Sequence, residues 1–172
     1  MRKYAAVEPS FVIALAGLRV AEAIGLLVHE VGKQVKLDGS VALTITPEEK
    51  HATSYEHIAP LSREGMAELR PWLDERERMV KQLALPGDFV FPANVEGGKM
   101  TKKTVYKQIR ATFERADLDT SRAGGRTLRN TFAKGQLDSG ANPDDLKDVL
   151  GLALERSAAD YNFTRIKNDP KK

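Results

Sequence analysis

Arg19 is planted in an otherwise apolar stretch, Ala16-Gly17-Leu18-Arg19-Val20-Ala21-Glu22-Ala23. Burying a guanidinium is costly unless it is paired or bonded to an anion. An ion pair to Glu22, three residues on, is the plainer account of it. Arg126 and Arg129 stand one helical turn apart after the Gly124-Gly125 turn, and two exposed arginines would explain that pair as simply. Leu150-Gly151-Leu152 precedes Tyr161, and Lys50 lies in a long polar connection. From Lys99 to Lys134 ten Lys or Arg face three acids, a net +7, whereas Gly135 to Tyr161 carries two basic and six acidic residues. A block of positive charge suits a polyanionic partner, although a solvated face looks the same in sequence. The formal net charge of +3 and a sequence pI of about 9.1 point the same way.

Other chemistries have no basis in these residues. The three histidines, His29, His51 and His57, all fall in the first third, and no two have the helical spacing of a zinc site. Gly98-Lys99 lacks the first glycine and the hydroxyl residue of a phosphate loop, because Ala93 and Met100 stand there. Cysteine is absent, which removes disulfides, thiolate metal sites and cysteine nucleophiles. No apolar run reaches the roughly 18 residues of a membrane span, and the first residues lack a signal-peptide core. The expectation is a soluble intracellular protein of 172 residues, one domain or a piece of a longer chain.

The elements that must position these side chains follow from periodicity. Residues 10–28 read as one mostly buried helix, with Phe11, Leu15 and Leu18 at helical spacing. Val35, Leu37, Val41, Leu43 and Ile45 alternate around the turn signal Asp38-Gly39-Ser40. With a third strand at 58–61, the segment is an antiparallel meander whose second connection carries Lys50. Ser62 caps a helix over 63–83 that contains Pro71. Residues 85–100 form a loop, and Thr101 caps a helix to 116. Helices near 126–139 and 143–150 follow, then a helical segment from about 154 that carries Tyr161.

The ordered set of boxes resembles the catalytic domain of the tyrosine recombinase (phage integrase) family over nearly the whole chain. "ALAGLRVAEAIGL" resembles the family's T-G-L-R-x-S-E box, and "HIAPLS" the V-P-L-S strand that closes its meander. "RTLRNTFAKGQLDSG" resembles H-x-L-R-H-T-F-A-T-x-L-x-x-x-G, and "LKDVLGLALERSAADYNF" resembles Q-x-x-L-G-H-s-x-x-x-T-x-x-Y. The resemblance implies an α+β, mostly helical fold of the DNA breaking-rejoining kind, with a small three-stranded antiparallel meander. It implies a single catalytic domain over 1–172, without the family's usual N-terminal DNA-clamping domain.

By the same resemblance Arg19 and Arg129 clamp a scissile phosphate, with Arg126 beside them. Tyr161 attacks the phosphate to form a 3′-phosphotyrosyl DNA intermediate, and Lys50 protonates the leaving 5′ oxygen. Phosphoryl transfer needs positioning and charge neutralisation, which two planar guanidinium groups supply. No cofactor is implied. The implied partners are double-stranded DNA, contacted by Lys99, Lys102, Lys103 and Lys107, and protomers of the same recombinase in a synaptic assembly. Without DNA the expectation is a monomer, with no membrane partner and a cytoplasmic, nucleoid-associated setting in a bacterium or phage. Two positions depart from the pattern: Arg126 stands at a usual histidine, and Leu152 at a usual histidine or tryptophan. Arg126 is a poor proton acceptor and Leu152 cannot hydrogen-bond through its side chain. A degenerate recombinase domain that binds DNA or a partner without cutting is therefore the second expectation.

Overall fold

The structure is a computed structural model that describes residues 8–47, 55–83, 87–94 and 96–152. Lys50 and Tyr161 lie outside the described residues.

The first helical stretch is two helices, not the single one that periodicity suggests. α1 spans Pro9–Ala16 and α2 spans Val20–Gly25. Pro9 opens α1 with a φ already suited to a helix. Gly17 ends it in the left-handed region at φ 69°. The apolar spacing hides this break because Leu18, just past it, is fully buried like the helical positions before it. A Cβ on Gly17 would lie 2.5 Å from Cδ1 of Phe132 and 2.8 Å from Cδ2 of Leu150. Gly17→Ala therefore combines a disfavoured φ with a collision in the core. The expected result is a loss of about 2–4 kcal/mol in denaturant unfolding; a variant as stable as the parent would contradict this packing.

A 3₁₀ turn at Val28–Glu30 leads into the sheet. Strands β1 (Val31–Val35), β2 (Val41–Ile45) and β3 (His57–Leu61) form an antiparallel meander in the order β1-β2-β3. Val41, Leu43 and Ile45 of β2 pair with Leu61, Ala59 and His57 of β3, and all six are buried. The alternation does not extend as far back as the sequence suggests: Val35 is exposed at the end of β1, and Leu37 stands fully exposed in the hairpin turn. Asp38 accepts from the Ser40 amide across that turn at 2.8 Å.

Helix α3 (Arg63–Leu83) starts where the Ser62 hydroxyl accepts from the Gly65 amide, and it accommodates Pro71. Its buried Met66 and Leu69 join the core, and its polar face is solvated. Trp72 Nε1 donates to the Val90 carbonyl at 2.8 Å. The buried Arg76 donates to the carbonyls of Phe89 and Gly87, so α3 pins the 87–91 segment from three points. Helix α4 (Lys102–Arg115) is capped by Thr101, which accepts from the Thr104 amide. Helices α5 (Gly125–Asp138) and α6 (Pro143–Val149) complete the described chain, α6 being capped by Asn142.

One apolar cluster joins α1, α2, the inner sheet face, α3 and α4. A second, made of Ala133, Leu137, Leu146, Leu150 and Leu152 with Phe132 against it, lies between α5 and α6. Gly17 touches Phe132 and Leu150, so the α1–α2 break is seated on this second cluster. Among the described residues no helix is long and apolar enough to cross a membrane.

Candidate functional site

The break after α1 decides where Arg19 points. Arg19 occupies the N-cap of α2 in extended backbone, φ −73° and ψ 155°. Glu22, one turn into α2, accepts from the Arg19 amide at 2.6 Å and pairs with the Arg19 guanidinium at 3.0 Å. The carboxylate thus caps its own helix and sits against the positive end of the helix dipole. Its side chain is 3% exposed. A carboxylate that deep needs compensating charge and hydrogen bonds.

The second cation comes from α5. Gly125, the first residue of α5, packs directly on Val20, a contact that leaves no room for a side chain. That close approach carries Arg129, one turn on, under the α1–α2 break. Arg129 Nη1 donates to the Gly17 carbonyl and lies 3.6 Å from Glu22 Oε2. Its Nη2 donates to the Leu150 carbonyl at 2.7 Å. Arg19 and Arg129, 110 positions apart in sequence, therefore meet on one buried carboxylate. Among the described residues, two guanidinium groups share one carboxylate. The Arg19 side chain, 30% exposed, is the accessible part of this centre, whereas that of Arg129 is 7% exposed. The two guanidinium groups provide fork-shaped donors for phosphate oxygens.

The other described candidates lie on α4, on α5 and in the segments next to them. Arg126 is exposed on the first turn of α5 and takes part in no ion pair among the described residues. Lys102, Lys103 and Lys107 are exposed on α4. Tyr106, between them, comes within 3.8 Å of the place a Cβ on Gly124 would take, so the basic face of α4 adjoins the start of α5. Lys99 differs from these three. It is half-buried, with Nζ 5.9 Å from the Phe89 ring centroid and beside Gly25 at the end of α2. Leu152 is a core residue of the α5–α6 cluster, 7% exposed. Lys50 and Tyr161 lie outside the described residues, but the described residues nearest them in sequence, at 55–57 and 148–152, meet one another. Tyr55 donates to Asp148 at 3.4 Å, and His57 packs on Gly151. Burial, reinforced by the Asp148 charge, raises the Tyr55 phenol above its ordinary pKa.

Sequence reasoning saw Glu22 only as a partner for Arg19. Its second cation is invisible to local spacing, because it depends on α5 packing against Val20. Likewise, nothing local marked Tyr55 and His57 as the seat of the Leu150-Gly151-Leu152 turn. The signal available was Gly151 itself, whose φ of 58° and crowded surroundings both require glycine.

Known structures share this arrangement of elements. The XerH site-specific recombinase, solved bound to a palindromic difH substrate, superposes with a TM-score of 0.74 at 22% identity, over 92% of this chain and 43% of that one. The XerA recombinase superposes with a TM-score of 0.69 at 20% identity, over 94% of this chain and 57% of that one. The fold is that of a tyrosine recombinase catalytic domain. The phage integrase family model matches residues 2–165, and the chain belongs to that family. Tyrosine recombinase XerD of Pseudomonas aeruginosa is 30% identical over 146 residues, 81% of this chain and 43% of that protein. XerD of Brucella abortus is 29% identical over 141 residues, 80% of this chain and 41% of that protein. The chain thus spans about two-fifths of the length of these curated relatives.

Proposed function

We propose that this chain is the catalytic part of a site-specific DNA recombinase that cuts and rejoins strands through a 3′-phosphotyrosyl intermediate. The observation that carries it is the meeting of Arg19 and Arg129 on buried Glu22. In the proposed reaction these two arginines hold the non-bridging oxygens of the scissile phosphate. Tyr161 attacks phosphorus, the bond to the 5′ oxygen breaks, and Lys50 supplies the proton that oxygen takes up. The attacking phenol gives up its own proton to solvent water, and the guanidinium charges favour the oxygen that remains. The reaction needs little from the protein beyond placement and charge. Tyr161 is nine residues past Leu152, a span of at most about 30 Å, so it is within reach of the centre. Double-stranded DNA is the substrate, held by Lys102, Lys103, Lys107 and Arg126, and copies of the same recombinase assemble on it. Trapping of a covalent protein–DNA adduct on a nicked duplex tests the reading; no adduct on cognate DNA, with any domain the relatives carry beyond this match supplied, would overturn it.

A binding-only domain is the second reading, and Leu152 favours it. Its side chain is committed to an apolar cluster and offers phosphate no donor. A missing transition-state hydrogen bond costs about 2.7–4 kcal/mol, on the order of 10²–10³-fold in rate.

Binding itself should depend steeply on salt. The exposed cations of α4 and α5 release counterions when they meet phosphates, so duplex affinity should fall sharply between about 50 and 200 mM salt. Sequence-scrambled duplex should bind with the same salt slope. A flat response in a titration series would mean that this face is merely solvated.

A further inference from the structure

His57 is a buried histidine that the proposed reaction does not use. It is 7% exposed, at the start of β3. Its Nδ1 lies 3.0 Å from the Tyr55 carbonyl, which can only accept, so Nδ1 carries the proton. The ring stands edge-on to Tyr55, 6.3 Å between centroids at 72°. Nε2 is buried with no hydrogen-bond partner among the described residues. A buried polar atom without a partner is a cost that a phenyl ring of similar size would not carry. Shape alone therefore does not account for histidine here; the Nδ1–H bond does, because it locks the ring's rotation.

The locked ring has one evident purpose. It occupies the space that a side chain on Gly151 would need, with Nδ1, Cε1 and Cγ all crowding that position. Gly151 follows Leu150, whose carbonyl receives Arg129 Nη2 at 2.7 Å. A peptide held from one side by His57 and from the other by Arg129 has little freedom to turn. We propose that His57 is a positioning residue for the Arg129 guanidinium, acting through the Leu150–Gly151 peptide. As a contribution to phosphate chemistry this rests on the function proposed above; the mechanical link from His57 to Arg129 does not.

Two variants separate the link from general packing. His57→Phe keeps a ring but cannot donate to Tyr55, and His57→Asn keeps a donor near Nδ1 but loses the ring. In isotope-labelled protein the wild-type Arg129 guanidinium protons should exchange slowly and give resolved NMR signals. Both variants should lose those signals while backbone amide protection in α1 and the sheet persists. Retention of the Arg129 signals in either folded variant overturns the proposal. So does a parallel loss of amide protection throughout, which is what a merely structural residue would cause. If neither variant folds, the wild-type imidazole decides: an Nδ1–H tautomer with a static ring is expected, and an Nε2–H tautomer overturns the link. On a nicked duplex, adduct formation should slow by about 10–100-fold with duplex affinity unchanged, as for a misplaced catalytic group. Absence of adduct from the wild type would count against the recombinase reading, and the NMR result would still decide the role of His57.

Discussion

Tyr161→Phe should abolish covalent adduct on a nicked duplex while leaving duplex affinity nearly unchanged. The substitution removes one hydroxyl, which is the whole nucleophile in the proposed reaction and a small share of the contact surface. No other tyrosine is a ready substitute. Tyr55 donates to Asp148, and burial with the Asp148 charge holds its phenol above the ordinary pKa, so its reactive phenolate is rarer still. Tyr106 is half exposed on α4, beside Gly124. Tyr4 precedes the first helix and lies outside the described residues. Adduct formation is read by denaturing gel and affinity by titration at one salt concentration. Adduct at wild-type yield in Tyr161→Phe would remove Tyr161 from the mechanism, whatever its place in the sequence box.

Substitutions at Arg129 should divide stability from activity. Arg129→Ala leaves the Gly17 and Leu150 carbonyls and half of the Glu22 charge without their cation. Breaking a buried pair in this way costs about 3–5 kcal/mol, a large part of a small domain's stability. Arg129→Lys keeps the charge but not the planar fork that spans two carbonyls and a carboxylate. It should fold with a smaller loss, and it should form adduct on the order of 10²–10³-fold more slowly. Arg19→Ala, at a side chain 30% exposed, should cost less stability than Arg129→Ala and a comparable share of the rate. Denaturant melts and single-turnover adduct kinetics separate the two quantities. An Arg129→Lys protein that reacts at the wild-type rate would show that the fork is structural only.

These two experiments address residues of different standing. Arg129 and its partners are defined by distances in the structure, whereas Tyr161 rests on its sequence box and on the anchoring of the turn before it. The anchoring matters to both. Leu150 accepts from Arg129, Gly151 packs on His57, and Asp148 meets Tyr55. The described residues on either side, Tyr55 and His57 at the start of β3 and the turn at 150–152, therefore meet at one junction beside Arg129.

Much of this protein is legible one residue after another. The second and third strands, the Thr101 cap and the extents of α3 to α6 all depend on local spacing or capping chemistry. Those are properties a chain carries within a few residues, and the structure agrees with them to within a residue or two, whereas β1 lies earlier than the alternation suggests. Even Arg19 announced itself, as a charge in apolar surroundings. What local spacing could not decide was the break at Gly17, because burial continues through Leu18 and the apolar period does not change there. That break follows from Phe132 and Leu150 pressing against Gly17 from more than a hundred residues away. The second cation on Glu22 has the same origin, as does the choice between core and site for Leu152. A pattern along the chain records which residues want burial or a partner. Which partner each one finds is set by helices and strands closing on one another, and here α5 closing on the α1–α2 break makes a single charged centre from residues that have no local relation.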